Sequence, residues 1–271
     1  MSDITLSSAV RSSLTSLQST ADLLGQTQER LATGNRVNSA LDDPTAFFTA
    51  SALNNRASDL STLLDGQQQA IRTVEAADQG LTAISDLIDS ARAQATAALQ
   101  TEDADARTAA GTAFNDILRQ IEGVAEDSSF NGTNLLEGDD LTAVFNEAGD
   151  NTLTVSGVDL SVASDAAGLN LADVTFTDDA SINDALSAID SALGTVRSTS
   201  ASLGADLSTI QIRQDFTSNL INTLEAGAGD LTLADLNEEG ANLLTLQTRQ
   251  SLASTSLSFA TQSDQSVLSL F

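Results

Sequence analysis

Carboxylates are the only reactive side chains this chain holds in number: 38 Asp and Glu stand against 11 arginines, with no Cys, His, Lys, Tyr or Trp. Without His, the commonest general base and metal ligand is missing. Without Cys there is no thiol nucleophile, disulfide or thiolate metal site. Without Lys there is no Schiff base and no phosphate-loop cation. Two chemistries remain open to carboxylates: binding a hard cation, and acid–base work by a pair. Asp139, Asp140, Asp150, Asp178 and Asp179 lie in turn-forming sequence but lack the one-three-five spacing and closing Glu of a calcium loop, so they read as solvated turn acids. Asp42 and Asp43 precede Pro44, the single proline, and a periodic helix follows at once. There an acid caps, and the proline sits in the first turn, where its missing N–H costs nothing. A catalytic pair needs surroundings that push two pKa values apart, and no two acids sit in apolar sequence. The expectation is no enzyme, with no catalytic, cofactor-binding or metal residue.

The elements that carry these acids are helical. Val10, Leu14, Leu17, Ala21, Leu24 and Leu31 recur at steps of four and three, with Gln28 filling one slot. Leu236, Leu243, Leu246, Ala253, Leu257, Ala260 and Val267 keep the same rhythm near the other end, interrupted by Gly240, Gln250 and Asp264. Such heptads put a narrow apolar seam on one side of a helix. A lone helix with one seam is marginal in water. Two of them at opposite ends of one chain imply helices that meet each other and then meet further copies.

The periodicity predicts helices over 3–33, 43–99, 105–127, 181–227 and 232–268, with Gly34-Asn35 stopping the first and Ser181 capping the fourth. Gly66 and Gly80 should weaken the second locally, and the Ala226–Gly229 run reads as a joint. Over 141–176 the apolar period falls to two (Leu153 with Val155, Val158 with Leu160 and Val162), with turn signals at 147–150 and 156–157, a small β-hairpin element. The fold class is therefore mainly α: an elongated antiparallel helical bundle or coiled coil with a small β-hairpin insertion. Its expected parts are a terminal helix and loop over 1–42, a first bundle segment over 43–140, the hairpin element over 141–180, a second bundle segment over 181–231 and a terminal helix over 232–271.

Charge divides the chain the same way. The net charge is −27. Residues 1–60 hold six acids and four arginines, residues 245–271 one of each, and the middle carries the rest. Nucleic acid and anionic membranes are excluded as partners by repulsion. No apolar run is long enough to span a bilayer. The start lacks the basic region, apolar stretch and cleavage site of a secretory signal, so exit from the cell would use another route. Neutral ends suit close packing of many copies, and an acidic middle suits a water-facing position.

Residues 26–53, "QTQERLATGNRVNSALDDPTAFFTASAL", 245–271, "TLQTRQSLASTSLSFATQSDQSVLSLF", and the turn Phe130-Asn131-Gly132 resemble bacterial flagellin. The short centre and the stretch 224–239 are similar to short flagellins of the alphaproteobacterial type. The resemblance covers essentially the whole chain and implies a homopolymer: an extracellular flagellar filament for swimming, whose terminal helices order on assembly into an inner tube. It also implies type III flagellar export without a cleaved signal, a cytosolic export chaperone, and filament-cap and hook-junction partners. The expected polymerisation interface is Val10, Leu14, Leu17, Ala21, Leu24, Leu31, Leu243, Leu246, Ala253, Leu257, Ala260, Val267, Leu268 and Leu270. In flagellins that activate a vertebrate Toll-like receptor, an Arg, a Leu and a Glu make the contact. Asp89, Ala93 and Ala113 match those positions here, or Ser90 and Gln94 in place of the first two if the loop is one residue shorter. Weak or absent receptor activation is the expectation. The rival readings are the hook–filament junction protein and a coiled-coil surface adhesin.

Overall fold

The computed structural model describes residues 8–162 and 168–268. Among the described residues the chain runs through five helices, α1 (Ser8–Thr33), α2 (Pro44–Leu99), α3 (Ala104–Asp127), α4 (Asp179–Thr232) and α5 (Leu236–Leu268), with two strands between α3 and α4 in sequence, β1 (Leu141–Val144) and β2 (Thr152–Val155). The strands pair antiparallel, Leu141 opposite Val155 and Val144 opposite Thr152. The chain is thus mainly α with a small hairpin insertion. It divides into two compact units, one of residues 1–56 with 223–271 and one of residues 57–222.

The 57–222 unit has a dense core. The heptad rhythm of α2 buries Val74, Leu81, Ile84 and Ile88, α3 adds Phe114, Leu118 and Ile121, and α4 adds Ile182, Ile189 and Val196. Phe176, from the irregular stretch before α4, meets Phe114 with ring centroids 5.4 Å apart, a contact range in which aromatic pairs attract. The hairpin is tied to α2 by Gln67, whose Nε2 donates to the Val144 carbonyl at 3.3 Å.

Several local expectations are corrected. Gly80 does not interrupt α2, and it has a packing role: it is buried, and a Cβ there would collide with Ser128 just past α3 and with Leu136, so glycine permits close approach. The period-two residues Val158 and Leu160 form no further strand. They reach the core through single bonds, Val158 N–H to the Leu135 carbonyl and Leu160 N–H to that of Leu136. The cap of α4 is Asp178, not Ser181: the Asp178 carboxylate accepts the Ser181 N–H at 2.8 Å. That bond, with the Ser181 hydroxyl second, holds the Asp178 pKa below its ordinary value. The helix also runs through Gly227 and Gly229 to Thr232. A glycine costs an interior helix only about 1 kcal/mol, and the alternating alanines continue the turn. The break falls at 233–235, where Asp235 caps α5 by accepting the Asn237 N–H at 2.8 Å.

Among the described residues no helix is long and apolar enough to cross a membrane, and no three acids are placed to hold a metal ion. The turn acids have other work. Asp139 accepts the Asn134 N–H at 2.9 Å, Asp150 accepts from the Asn146 amide at 2.5 Å, and Asp179 pairs with Arg107 at 2.5 Å.

Candidate assembly interface

Helices α1 and α5 lie in the same unit and pack on each other. On α1 the residues turned away from water are Val10, Ser13, Leu17, Thr20, Leu24, Thr27 and Leu31. The structure therefore brings four of the expected seam residues to this side, Val10, Leu17, Leu24 and Leu31. The alternate positions fall one residue earlier than the leucine spacing predicts. Ser13, Thr20 and Thr27 fill them, and Leu14, Ala21 and Gln28 are exposed. One residue is about 100° of helix rotation, so Leu14 and Ala21 face elsewhere. Hydropathy misses Thr20 because its hydroxyl counts as polar. It donates to the Ser16 carbonyl at 2.8 Å, which satisfies the oxygen within its own helix.

On α5, Leu246 is buried, and Leu243, Ala253, Leu257 and Ala260 are half-buried, while Leu236 is exposed. Leu270 lies outside the described residues, as do the side chains of Val267 and Leu268.

Polar bonds set the register of this pair. Arg30 of α1 donates to Glu239 of α5 at 3.0 Å, with the Glu side chain only 9% exposed. Beyond α1, Gly34 takes φ +73° and its N–H closes the helix on the Arg30 carbonyl at 2.8 Å, a left-handed position suited to glycine. The next residues clasp the α4–α5 turn. The N–H groups of Arg36 and Val37 both donate to the Thr232 carbonyl, Ala234 N–H donates back to Gly34, and the Arg36 guanidinium reaches the Leu231 carbonyl at 2.9 Å. The Gly-Asn stretch that reads as a helix stop thus also joins the two helix connections.

The loop after the clasp is built on Asp42. Its carboxylate accepts the N–H groups of Asn38 at 3.0 Å and Ser39 at 2.9 Å and the Ser39 hydroxyl at 3.2 Å. These bonds, Ser39 N–H first, hold its pKa below the ordinary 3.8. Asp43 accepts the Ala46 N–H at 3.0 Å, the capping role expected of this acid pair.

What this unit leaves in water is unusual for a folded domain. Leu14, Leu23, Leu41, Phe48, Leu233, Leu236, Leu244, Leu252 and Phe259 are all exposed, against Phe130, Ile212 and Phe216 in the other unit. Leu244, Leu252 and Phe259 follow a near-heptad spacing on the side of α5 away from its buried seam. Scattered apolar residues are ordinary surface, but an aligned set marks a contact surface. A heptad pattern with one seam per helix does not include this stripe.

Asp89 and Ala93 are exposed on α2 and Ala113 is half-buried on α3. The arginine beside them, Arg92, is ion-paired to Asp190.

Comparison with known proteins places the whole chain. The family described as the bacterial flagellin N-terminal helical region matches residues 4–140, and the bacterial flagellin C-terminal helical region matches 186–271. Flagellin FljM of Caulobacter vibrioides is 31% identical over 100% of this chain and 99% of its own length. The flagellin of Brucella melitensis is 29% identical over the same shares. A crystal structure of Bacillus cereus flagellin aligns with 55% of this chain and 86% of its own, at a TM-score of 0.48 and 21% identity.

Proposed function

Since this chain belongs to the bacterial flagellin family, a family of structural proteins, and is a filament subunit that assembles with copies of itself, we propose how its two units divide that task. The 57–222 unit is the stably folded body. Helices α1 and α5 are the assembly elements, and they complete their ordering only when neighbouring copies cover them.

The observation that carries this reading is the pair of apolar surfaces on α1 and α5. One, Val10, Leu17, Leu24 and Leu31 with Leu243, Leu246, Ala253, Leu257 and Ala260, is turned from water. The other, Leu14 and Ala21 on α1 with Leu244, Leu252 and Phe259 on α5, has no cover. Val267, Leu268 and Leu270 join the interface on the heptad and the terminal Leu-Ser-Leu alone. Ordering a residue costs roughly 1–2 kcal/mol of backbone entropy, and a two-helix pair seamed in part by Ser and Thr offsets little of it. Burial against several copies supplies the difference.

The proposal extends to roles that membership of the family supports: extracellular display after type III flagellar export without a cleaved signal, an export chaperone in the cytosol, and cap and hook-junction partners. Catalysis has no part in this function. In either register, Asp89 with Ala93 or Ser90 with Gln94, the cation and bulky apolar group of the receptor contact are missing, and Ala113 stands in place of its Glu, so purified monomer should leave a Toll-like receptor reporter cell silent at low dose; a strong response would refute this.

Electron microscopy after a salt jump tests the reading. Screening of the acidic unit should promote polymerisation, giving long filaments with a gain in helicity by circular dichroism. A fully helical, discrete oligomer that never elongates would contradict it.

A further inference from the structure

Of the six arginines in the 57–222 unit, four hold ion pairs, Arg72, Arg92, Arg107 and Arg119. Arg213 stacks 4.8 Å from the centre of the Phe145 ring. Arg197 is exposed and has no ion-pair partner among the described residues, in a unit with 27 acids. It lines a groove of about 410 Å³ between α2 and α4, floored by the buried Leu81 and Val196 and edged by Ser85, Asp86 and Ala201. The site offers an apolar floor beside one uncommitted cation. Its complement is a short segment that presents an apolar side chain next to a carboxylate.

The chain itself contains such a segment. Leu41 is 95% exposed, and the loop that carries it is already ordered by the bonds to Asp42 and by Leu41 N–H donating to the Ser39 hydroxyl at 3.2 Å. Two carboxylates follow it directly. A preformed loop loses little entropy on docking. A leucine held this fully in water gains from burial against an apolar floor. The knob and the groove are different surfaces of one chain, so their union between copies is heterologous and propagates instead of closing into a dimer.

We propose that the Leu41-Asp42-Asp43 loop of one copy seats in the α2–α4 groove of a neighbouring copy, Leu41 over Leu81 and Val196 and a loop carboxylate on Arg197. This deepens the filament reading and rests on it.

Because the chain has no cysteine, cross-linking of introduced cysteines has no background. One preparation carries Leu41→Cys and a second Ala201→Cys. They are polymerised together and treated with a short bis-maleimide. Covalent dimers should form in the mixed filaments, and neither in the monomer mixture nor when Thr112→Cys, exposed on α3, replaces Ala201→Cys. Filaments without the dimer, or with equal yield from the Thr112 control, overturn the proposal and leave the filament reading intact. Failure of the unsubstituted chain to form filaments overturns both. As a second measure, Arg197→Glu should keep the monomer's circular dichroism and raise the critical concentration for growth about tenfold, the effect of losing one interface anchor, with Arg197→Lys in between. An unchanged critical concentration would overturn the proposal as well.

Discussion

The two units of this subunit spend the same residue types in opposite ways. The 57–222 unit carries 27 acids against six arginines, and it hides its large side chains: Phe114, Phe176, Leu81, Ile84, Ile88 and Ile121 are all less than 2% exposed. The other unit carries 11 acids against five arginines and leaves leucines of both terminal helices, with Phe259 of α5, in water. A domain core is satisfied within the chain, whereas a subunit interface waits for copies. Where the large apolar residues end up, more than how many there are, separates the two units, and it is the ground for proposing one as the folded body and the other as the assembling part.

That contrast can be broken most sharply in the core. Phe114→Ala should cost the 57–222 unit about 3–5 kcal/mol, the usual loss for a buried phenylalanine, seen as a lower denaturant midpoint of the monomer. Leu252→Ser with Phe259→Ser should leave that midpoint unmoved. Their effect belongs in assembly, where two lost anchors of more than about 1 kcal/mol each should raise the critical concentration by at least tenfold, measured by sedimentation. A double variant that lowers the midpoint and polymerises normally would reverse the assignment of the two units.

The Arg30–Glu239 bond gives a smaller and more diagnostic effect. Arg30→Met strands a carboxylate that is 9% exposed, whereas Glu239→Gln strands a guanidinium that is 35% exposed. An abandoned buried charge costs more than one that water can reach. Arg30→Met should weaken α1–α5 pairing by about 1–3 kcal/mol and Glu239→Gln by less than about 1 kcal/mol. Equal losses of helicity in assembled material would show that burial of the pair does not decide its worth.

Acid gives the mildest test. Asp42 and Asp178 are both held below their ordinary 3.8, chiefly by the backbone N–H groups of Ser39 and Ser181. A depressed carboxylate stabilises the fold fully above its unfolded pKa and loses that contribution as pH falls through the folded value. The Asp42 loop and the α4 cap should therefore be unchanged from pH 7 down to about 4 and loosen below 3.8. Amide chemical shifts of Ser39 and Ser181 would follow it, and Asp42→Asn should remove the response at Ser39 alone.

Much of the fold is legible in the sequence because helices announce themselves by period. The bounds of α2 and α3, the glycine stop at Gly34 and the Asp43 cap need only local rules. What is not legible depends on neighbours distant in the chain. Gly80 reads as a flaw until Ser128 is seen against it. The Ala226–Gly229 run reads as a break, yet the helix ends where the Thr232 carbonyl is claimed by residues 36 and 37. On α1, hydropathy gives the side of Val10 and Leu17 but puts Leu14 where Ser13 stands and Ala21 where Thr20 stands, and the Thr20 hydroxyl, bonded to its own helix, leaves its methyl to pack. The outward stripe of Leu244, Leu252 and Phe259 is invisible to a search for one seam.

Amide hydrogen exchange on monomer and filament side by side distinguishes a 57–222 unit complete in one chain from α1 and α5 helices completed by other copies. Exchange should be slow in α3 and the core half of α2 in both states, and in α1 and α5 fast in the monomer and strongly protected in the filament. Equal protection of α1 and α5 in both states would contradict that division.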